Sequence, residues 1–231
     1  RLRALKHNGP VTLVAPSVFG LWEEGTRSAV LDFLATIREV VGSGRRVYLD
    51  FSQTKRMIAD GTLLFYSEVD RLVTTAELPR PILCSYPKNK VVEQVLQHVG
   101  FFDLLQKTKK ALVVDESVRF WHTFAGTEVD GSSLAPVQDF YEKWVEDATK
   151  SNLYNGLIEA VTNTIHHAYP DVPEGGRQWW MFAQAREGYL SIVICDRGIG
   201  IPRSMRGQWA DWLDTLGRTL DIRYDGPVIK S

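Results

Sequence analysis

Glu159 and Asn163 stand four residues apart in the run LYNGLIEAVTNTIHHAYP, residues 153–170. On a helix that spacing puts a carboxylate and a carboxamide one turn apart on one face. Such a carboxylate can orient or deprotonate an attacking group. The carboxamide offers a neutral oxygen of the kind a hard cation accepts. A second chemistry-bearing stretch follows. The apolar run 190–195, LSIVIC, leads into Asp196, then Gly198, Gly200, Ile201 and Pro202. A strand ending in an acid and a glycine turn lets backbone approach a flat ligand closely, and the acid supplies an oriented acceptor.

The elements that must position these residues are legible as periodicity. Leu157, Ala160, Val161, Thr164 and Ala168 recur at three- and four-residue spacings and predict one helix beneath Glu159 and Asn163. Ser151 or Asn152 is the expected cap of that helix. Residues 178–185 and 189–195 read as two strands joined by a short turn at 186–188. Before them, Val137 to Lys150 predicts a helix with Phe140, Trp144, Val145 and Ala148 on one side. Gly126 to Pro136 reads as a loop, and Val118 to Phe124 alternates as a strand does, with His122 given no role.

The first half alternates strand and helix. Strands are expected at 11–15, 46–51 and 82–85, with another beginning at Leu104. Helices are expected at 24–41, 60–72 and 88–99. The first carries Ala29, Phe33, Leu34, Ile37 and Val41 on its apolar side. Gly42-Ser43-Gly44 ends that helix and Gly100 ends the third. The alternation predicts an α/β sandwich on a largely parallel or mixed sheet. Residues 108–136 form the joint between the halves, and the expected domains are 1–110 and 111–231.

The chain has 231 residues, 44% hydrophobic and 24% charged, with net charge -1 and a sequence pI near 6.6. That is the make-up of a soluble globular protein of one large or two small domains. No Lys/Arg patch marks a nucleic-acid footprint. No apolar run approaches the roughly 20 residues of a membrane span. No apolar core follows Arg1-Leu2-Arg3, so a signal peptide is not expected, and the missing initial Met predicts a preceding segment. Cys84 and Cys195 lie in apolar runs and read as buried free thiols of a reducing cytoplasm.

Glu159-x-x-x-Asn163-x-x-x-His167-Ala168 resembles the N box of the GHKL (Bergerat-type) ATP-binding superfamily. That group holds gyrase, heat-shock chaperone ATPases and histidine kinases. Asp196-x-Gly198-x-Gly200-Ile201-Pro202 resembles its G1 box. Together, in this order and about thirty residues apart, the two are far more specific than either alone. EAVTN followed by HHAY is most similar to the anti-sigma-factor serine kinases within the group. The resemblance implies a C-terminal GHKL sandwich that binds MgATP. Asp196 would read the adenine amine, and Gly198, Gly200 and Ile201 would let backbone pass the purine. Asn163 would ligate Mg²⁺ held by the phosphates, His167 would follow the family pattern, and Glu159 would be the catalytic base. Arg203 and Arg206 are given no role. The family's second glycine box is not visible after Pro202, where 204–216 reads as a helix with Met205, Trp209, Trp212 and Leu213 inward. The GHKL unit is therefore expected to be incomplete at the C-terminus.

Residues 11–107, with VYLDFSQTKRMIADGTLLFYSEVDRL and ILCSYPKNKVVEQVLQHVGFFDLL as landmarks, resemble the STAS domain of anti-sigma-factor antagonists. Those antagonists carry a phosphorylated serine in an Asp-Ser-Ser-Gly turn. Here the turn is Ala59-Asp60-Gly61-Thr62, with Asp60 already charged and Thr62 reading as a first-turn helix residue. The expectation is a docking or self-inhibitory module rather than a phosphoswitch. Three readings follow. The first is a cytoplasmic MgATP-binding regulator that controls a protein partner. The second is a serine/threonine kinase of the anti-sigma type, and the third a non-catalytic scaffold. GHKL kinases of this kind often dimerise, so a homodimer is one expected assembly. Nucleic acid and membrane are not expected partners.

Overall fold

The computed structural model describes residues 9–109, 112, 114–119, 121–128, 131–143, 145, 147–173, 176–186 and 189–199. The chain is mixed α/β. A three-stranded parallel sheet takes the order β1-β3-β5, from β1 (Val11–Val14), β3 (Val47–Asp50) and β5 (Ile82–Cys84). Val47 and Leu49 of β3 are buried, as a central strand requires. A second, two-residue parallel pairing joins β2 (Val18–Phe19) to β4 (Arg56–Met57). Strand β4 falls between the expected strand at 46–51 and the expected helix at 60–72, where spacing announces no element.

Helix α1 (Glu24–Gly42) buries Val30, Phe33, Leu34, Ile37 and Val41. Val30, and not Ala29, is the inward residue of its second turn. Helix α2 (Ala59–Thr75) and helix α3 (Lys90–His98) follow. Asn89 caps α3, its side chain accepting from the N–H groups of Val91 and Val92 at 2.9 and 3.2 Å. Gly100 then takes φ 85°, which costs glycine nothing sterically. The chain re-enters a helical turn, α4 (Phe101–Leu104), where sequence suggested a new strand. That turn swings Phe101 and Phe102 into a core shared with Phe19, Phe51 and Phe65.

The second half adds α5 (Glu116–Arg119), β6 (Trp121–Gly126), α6 (Gly131–Tyr141) and α7 (Asp147–Asn163). Residues 164–168 continue α7 as a π-helical turn, and β7 (Trp179–Arg186) and β8 (Tyr189–Asp196) form a hairpin. Strands β6-β7-β8 make an antiparallel sheet. The expected loop before Val137 is helix, with Pro136 inside α6. Ser151 and Asn152 lie within α7 rather than at its cap.

Strand β7 shows what joins the two halves. Trp179 and Met181 face a core with Val137, Tyr141, Leu157 and Val161 of α6 and α7. Trp180 and Phe182 point the other way, into the core of the N-terminal half. The alternation of a strand thus seals helices against both faces of the sheet. Helix α2 is the element that packs across β7 and β8. Among the described residues no helix is long and apolar enough to cross a membrane.

Candidate functional site

Asn163 Nδ2 donates to Glu159 Oε1 at 3.1 Å, so the two residues singled out by spacing do meet, on an exposed face of α7. Leu157 and Val161, on the other side of the helix, are buried and hold that face outward. The bond uses the amide nitrogen. The carboxamide oxygen of Asn163 and the second carboxylate oxygen of Glu159 have no partner among the described residues.

Beyond Asn163 the helix loosens into the π-helical turn Thr164–Ala168. Bonding to the fifth residue adds a residue to the turn, so the strict four-residue stripe of Glu159 and Asn163 does not carry through to His167. Both His166 and His167 are exposed. Such π turns cluster at functional sites.

The end of this turn meets the glycine turn after β8. The backbone N–H of Ile199 donates to the carbonyl of Ala168 at 2.8 Å. Asp196 Oδ1 accepts the N–H of Gly198 at 2.9 Å. A Cβ on Gly198 would stand 2.0 Å from the Ala168 carbonyl oxygen, so only glycine allows the two backbones to approach. Tyr169 completes the junction. Its hydroxyl accepts from the Arg197 N–H at 2.7 Å and donates to the Gln178 carbonyl at 2.6 Å. Burial pushes its phenol up to about 12, against the lowering effect of the Arg197 amide, so it stays a neutral donor.

Asp196, Arg197, Gly198 and Tyr169 line a cavity of about 840 Å³, within the range of small-molecule sites. Arg38 and Arg71 of the N-terminal half line it too. Glu159, Asn163 and His167 do not; they lie on exposed surface outside it. The structure therefore brings Asp196 and Gly198 to the end of the helix bearing Glu159 and Asn163, without placing all four in one cavity. Gly200, Ile201, Arg203, Arg206 and the expected helix 204–216 lie outside the described residues.

Behind the cavity sits a charged cluster that spacing did not reveal. Glu68 on α2 is fully buried. It accepts from Arg38 (3.0 Å), from Arg71 (2.6 Å) and from Arg197 of the glycine turn. Burial alone would raise its carboxyl. The hydrogen bonds from Arg38 and Arg71 and the charge of Arg197 outweigh that and hold it below its ordinary value. Asp70, also on α2, accepts from Trp180 Nε1 at 2.7 Å and from Gln178 Nε2 at 3.1 Å. Ser67 Oγ lies 3.5 Å from Cys195 Sγ. In sequence these are ordinary polar residues of an amphipathic helix. Glu68 and Asp70 are only two apart there, so no single face collects them.

Comparison with protein-family models, with curated proteins and with solved structures finds no match to this chain. Among the described residues no group of three or more His, Cys, Asp or Glu could hold a metal. The oxygens offered by Asn163 and Glu159 fit a cation that brings most of its ligands with it, as magnesium on phosphates does. Thr62 is 2% exposed, which agrees with a first-turn helix residue rather than a phosphate acceptor. Asp60 braces the same turn, accepting from the N–H groups of Gly61 (2.6 Å) and Leu21 (3.2 Å). Cys84 is buried and free, and burial pushes its thiol up to about 11. Cys195 is half-buried and free, and burial raises its thiol as well.

Proposed function

We propose that the protein is an MgATP-binding regulator of the GHKL type, with a fused STAS-like domain that controls a protein partner. The observation that carries this reading is the 2.8 Å bond from the Ile199 N–H to the Ala168 carbonyl. It joins the two sequence motifs, far apart along the chain, at the end of one helix. Asp196 and Gly198 in the lining of a cavity of about 840 Å³ support a seat for a purine there. In this reading the free oxygen of the Asp196 carboxylate accepts the adenine amine. A guanine carbonyl there would leave the acid unpaired, at a cost of about 1–3 kcal/mol.

Asn163 would supply the protein oxygen for magnesium, which neutralises charge on the phosphates when bound. Glu159, already bonded to Asn163, would hold the attacking water or hydroxyl and take its proton. The N-terminal domain acts in this reading as a docking or self-inhibitory module. That fits the burial of α2 against β7 and β8, with Glu68 and Asp70 engaged within the chain. Catalysis on a separate serine or threonine is the second reading, favoured by the exposure of Glu159 and Asn163 to a protein substrate.

Calorimetric titration of MgATP and MgGTP into the full chain, wild type beside Asp196→Ala, tests the proposal. Binding selective for ATP and abolished in the variant is expected. A folded wild type that takes up neither nucleotide overturns both the regulator and the kinase readings.

A further inference from the structure

A second cavity, of about 500 Å³, is lined by residues of both halves. Much of its lining is apolar, with Val92, Val95, Val118, Trp121 and Phe182, and His98, Ser117 and Gln184 stand among them. Its near wall is the segment from Lys55 to Thr62, which runs through β4 into the first turn of α2. That segment is basic where it reaches the cavity. Lys55 and Arg56 are both exposed there, and neither makes an ion pair among the described residues. No acidic residue lines the cavity among the described residues.

Thr62, on the first turn of α2, belongs to that wall. It is 2% exposed, lines the cavity, and its hydroxyl has no hydrogen-bond partner. Buried hydroxyls are almost always bonded. A threonine in the first turn of a helix can bond back to a carbonyl four residues earlier, and this one does not. The start of a 17-residue helix, two free cations and an orphaned hydroxyl therefore face one apolar chamber. Helix starts favour anions by their dipole; in this one Asp60 already accepts the Gly61 N–H, so the two cations and the Thr62 hydroxyl carry the recognition.

We propose that this cavity binds a small organic anion with an apolar tail or ring. Lys55 and Arg56 hold its carboxylate at the mouth beside the start of α2, with the Thr62 hydroxyl donating to it, and the body lies against Val95, Trp121 and Phe182. The walls come from both halves of the chain, since Val92 and Val95 belong to α3 and Trp121 and Phe182 to β6 and β7. Occupancy therefore tightens the junction between them. The site shares no lining residue with the cavity at Asp196, and the proposal stands or falls independently of nucleotide binding.

The test is calorimetric titration of octanoate and phenylbutyrate into the full chain, with octanol and octylamine as controls of the same tail. The carboxylates are expected to bind saturably at one site and to raise the melting temperature. Octanol should bind about tenfold more weakly, the loss of one charge-assisted contact, and octylamine not at all. The double variant Lys55→Ala/Arg56→Ala alters exposed side chains and leaves the fold intact; it should weaken octanoate at least about tenfold. Thr62→Val keeps the shape, leaves the unliganded protein as stable as wild type, and should weaken octanoate several-fold. Absence of saturable carboxylate binding overturns the proposal. So does equal binding of octylamine, or wild-type affinity in both folded variants.

Discussion

Arg197 reaches Glu68: a guanidinium from between Asp196 and Gly198 donates to a fully buried carboxylate on α2. The glycine turn is thereby tied to the N-terminal half by charge, while Tyr169 ties it to α7 and to β7 by hydrogen bonds. Movement of the turn is thereby coupled to α2, and this pair is one charged link between the turn at Asp196 and the N-terminal half.

Removing the acid should be costly. Glu68→Ala leaves three guanidiniums facing one another around a buried gap, and a loss of about 3 kcal/mol is expected. Arg38→Ala should cost at most about 1 kcal/mol, because that side chain is 49% exposed and water screens it. Urea unfolding of the two variants checks the contrast. Equal losses would show that the cluster does not depend on its buried member.

The same cluster sets an acid limit. The carboxyl of Glu68 sits below its ordinary value of 4.5 when folded, so folding favours the ionised form. Its contribution is complete above that value and is lost as pH falls through the folded-state value. Glu68→Gln should flatten the dependence of stability on pH as it falls below 4.5. Denaturation midpoints measured across that window would refute the assignment if the two proteins changed in parallel.

Two glycines should answer alanine oppositely. Gly198→Ala drives a Cβ into the Ala168 carbonyl, a backbone atom that cannot swing aside. A loss of about 1–3 kcal/mol and of ATP binding is expected. Gly156 lies in α7 with open space where its Cβ would be. Gly156→Ala should gain about 0.4–1 kcal/mol by restricting the unfolded chain. Thermal melts of both, with an ATP titration of the first, decide the matter.

Glu159→Ala separates catalysis from binding. Among the described residues the exposed side chain is bonded only to Asn163, so stability should stay within about 0.5 kcal/mol. ATP binding should persist, while hydrolysis or phosphate transfer falls about a hundredfold or more. Unchanged turnover would leave a scaffold as the surviving reading.

Both thiols should be silent in the folded protein. Burial raises Cys84 to about 11 and raises Cys195 also, and the thiol rather than the thiolate is unreactive. Thiol titration at neutral pH is expected to read close to zero before denaturant and two equivalents after it. Rapid modification of Cys195 in the native state would place it on an open path to solvent.

Periodicity alone determined much of this protein. The inward stripes of α1 and α7, the strand runs of β7 and β8, and the α/β class all follow from where apolar residues recur, because burial rewards any segment that concentrates them. The pairing of Glu159 with Asn163 is equally local, since one helical turn is all it needs. Boundaries were less legible. A helix containing Pro136 and a helical turn after Gly100 stand where a loop and a strand were expected, since packing of Val137 and of Phe101 overrides weak local preference.

Only the tertiary structure decided the rest. Trp180 and Phe182, from beyond residue 110, bury themselves among residues of the first half, while Trp179 and Met181 of the same strand pack in a second core. Glu68 and Arg197 are 129 residues apart, and neither spacing nor residue type announces that they will meet. A charge is buried only where partners from elsewhere in the chain converge on it, and that convergence belongs to the packed molecule rather than to any stretch of its sequence.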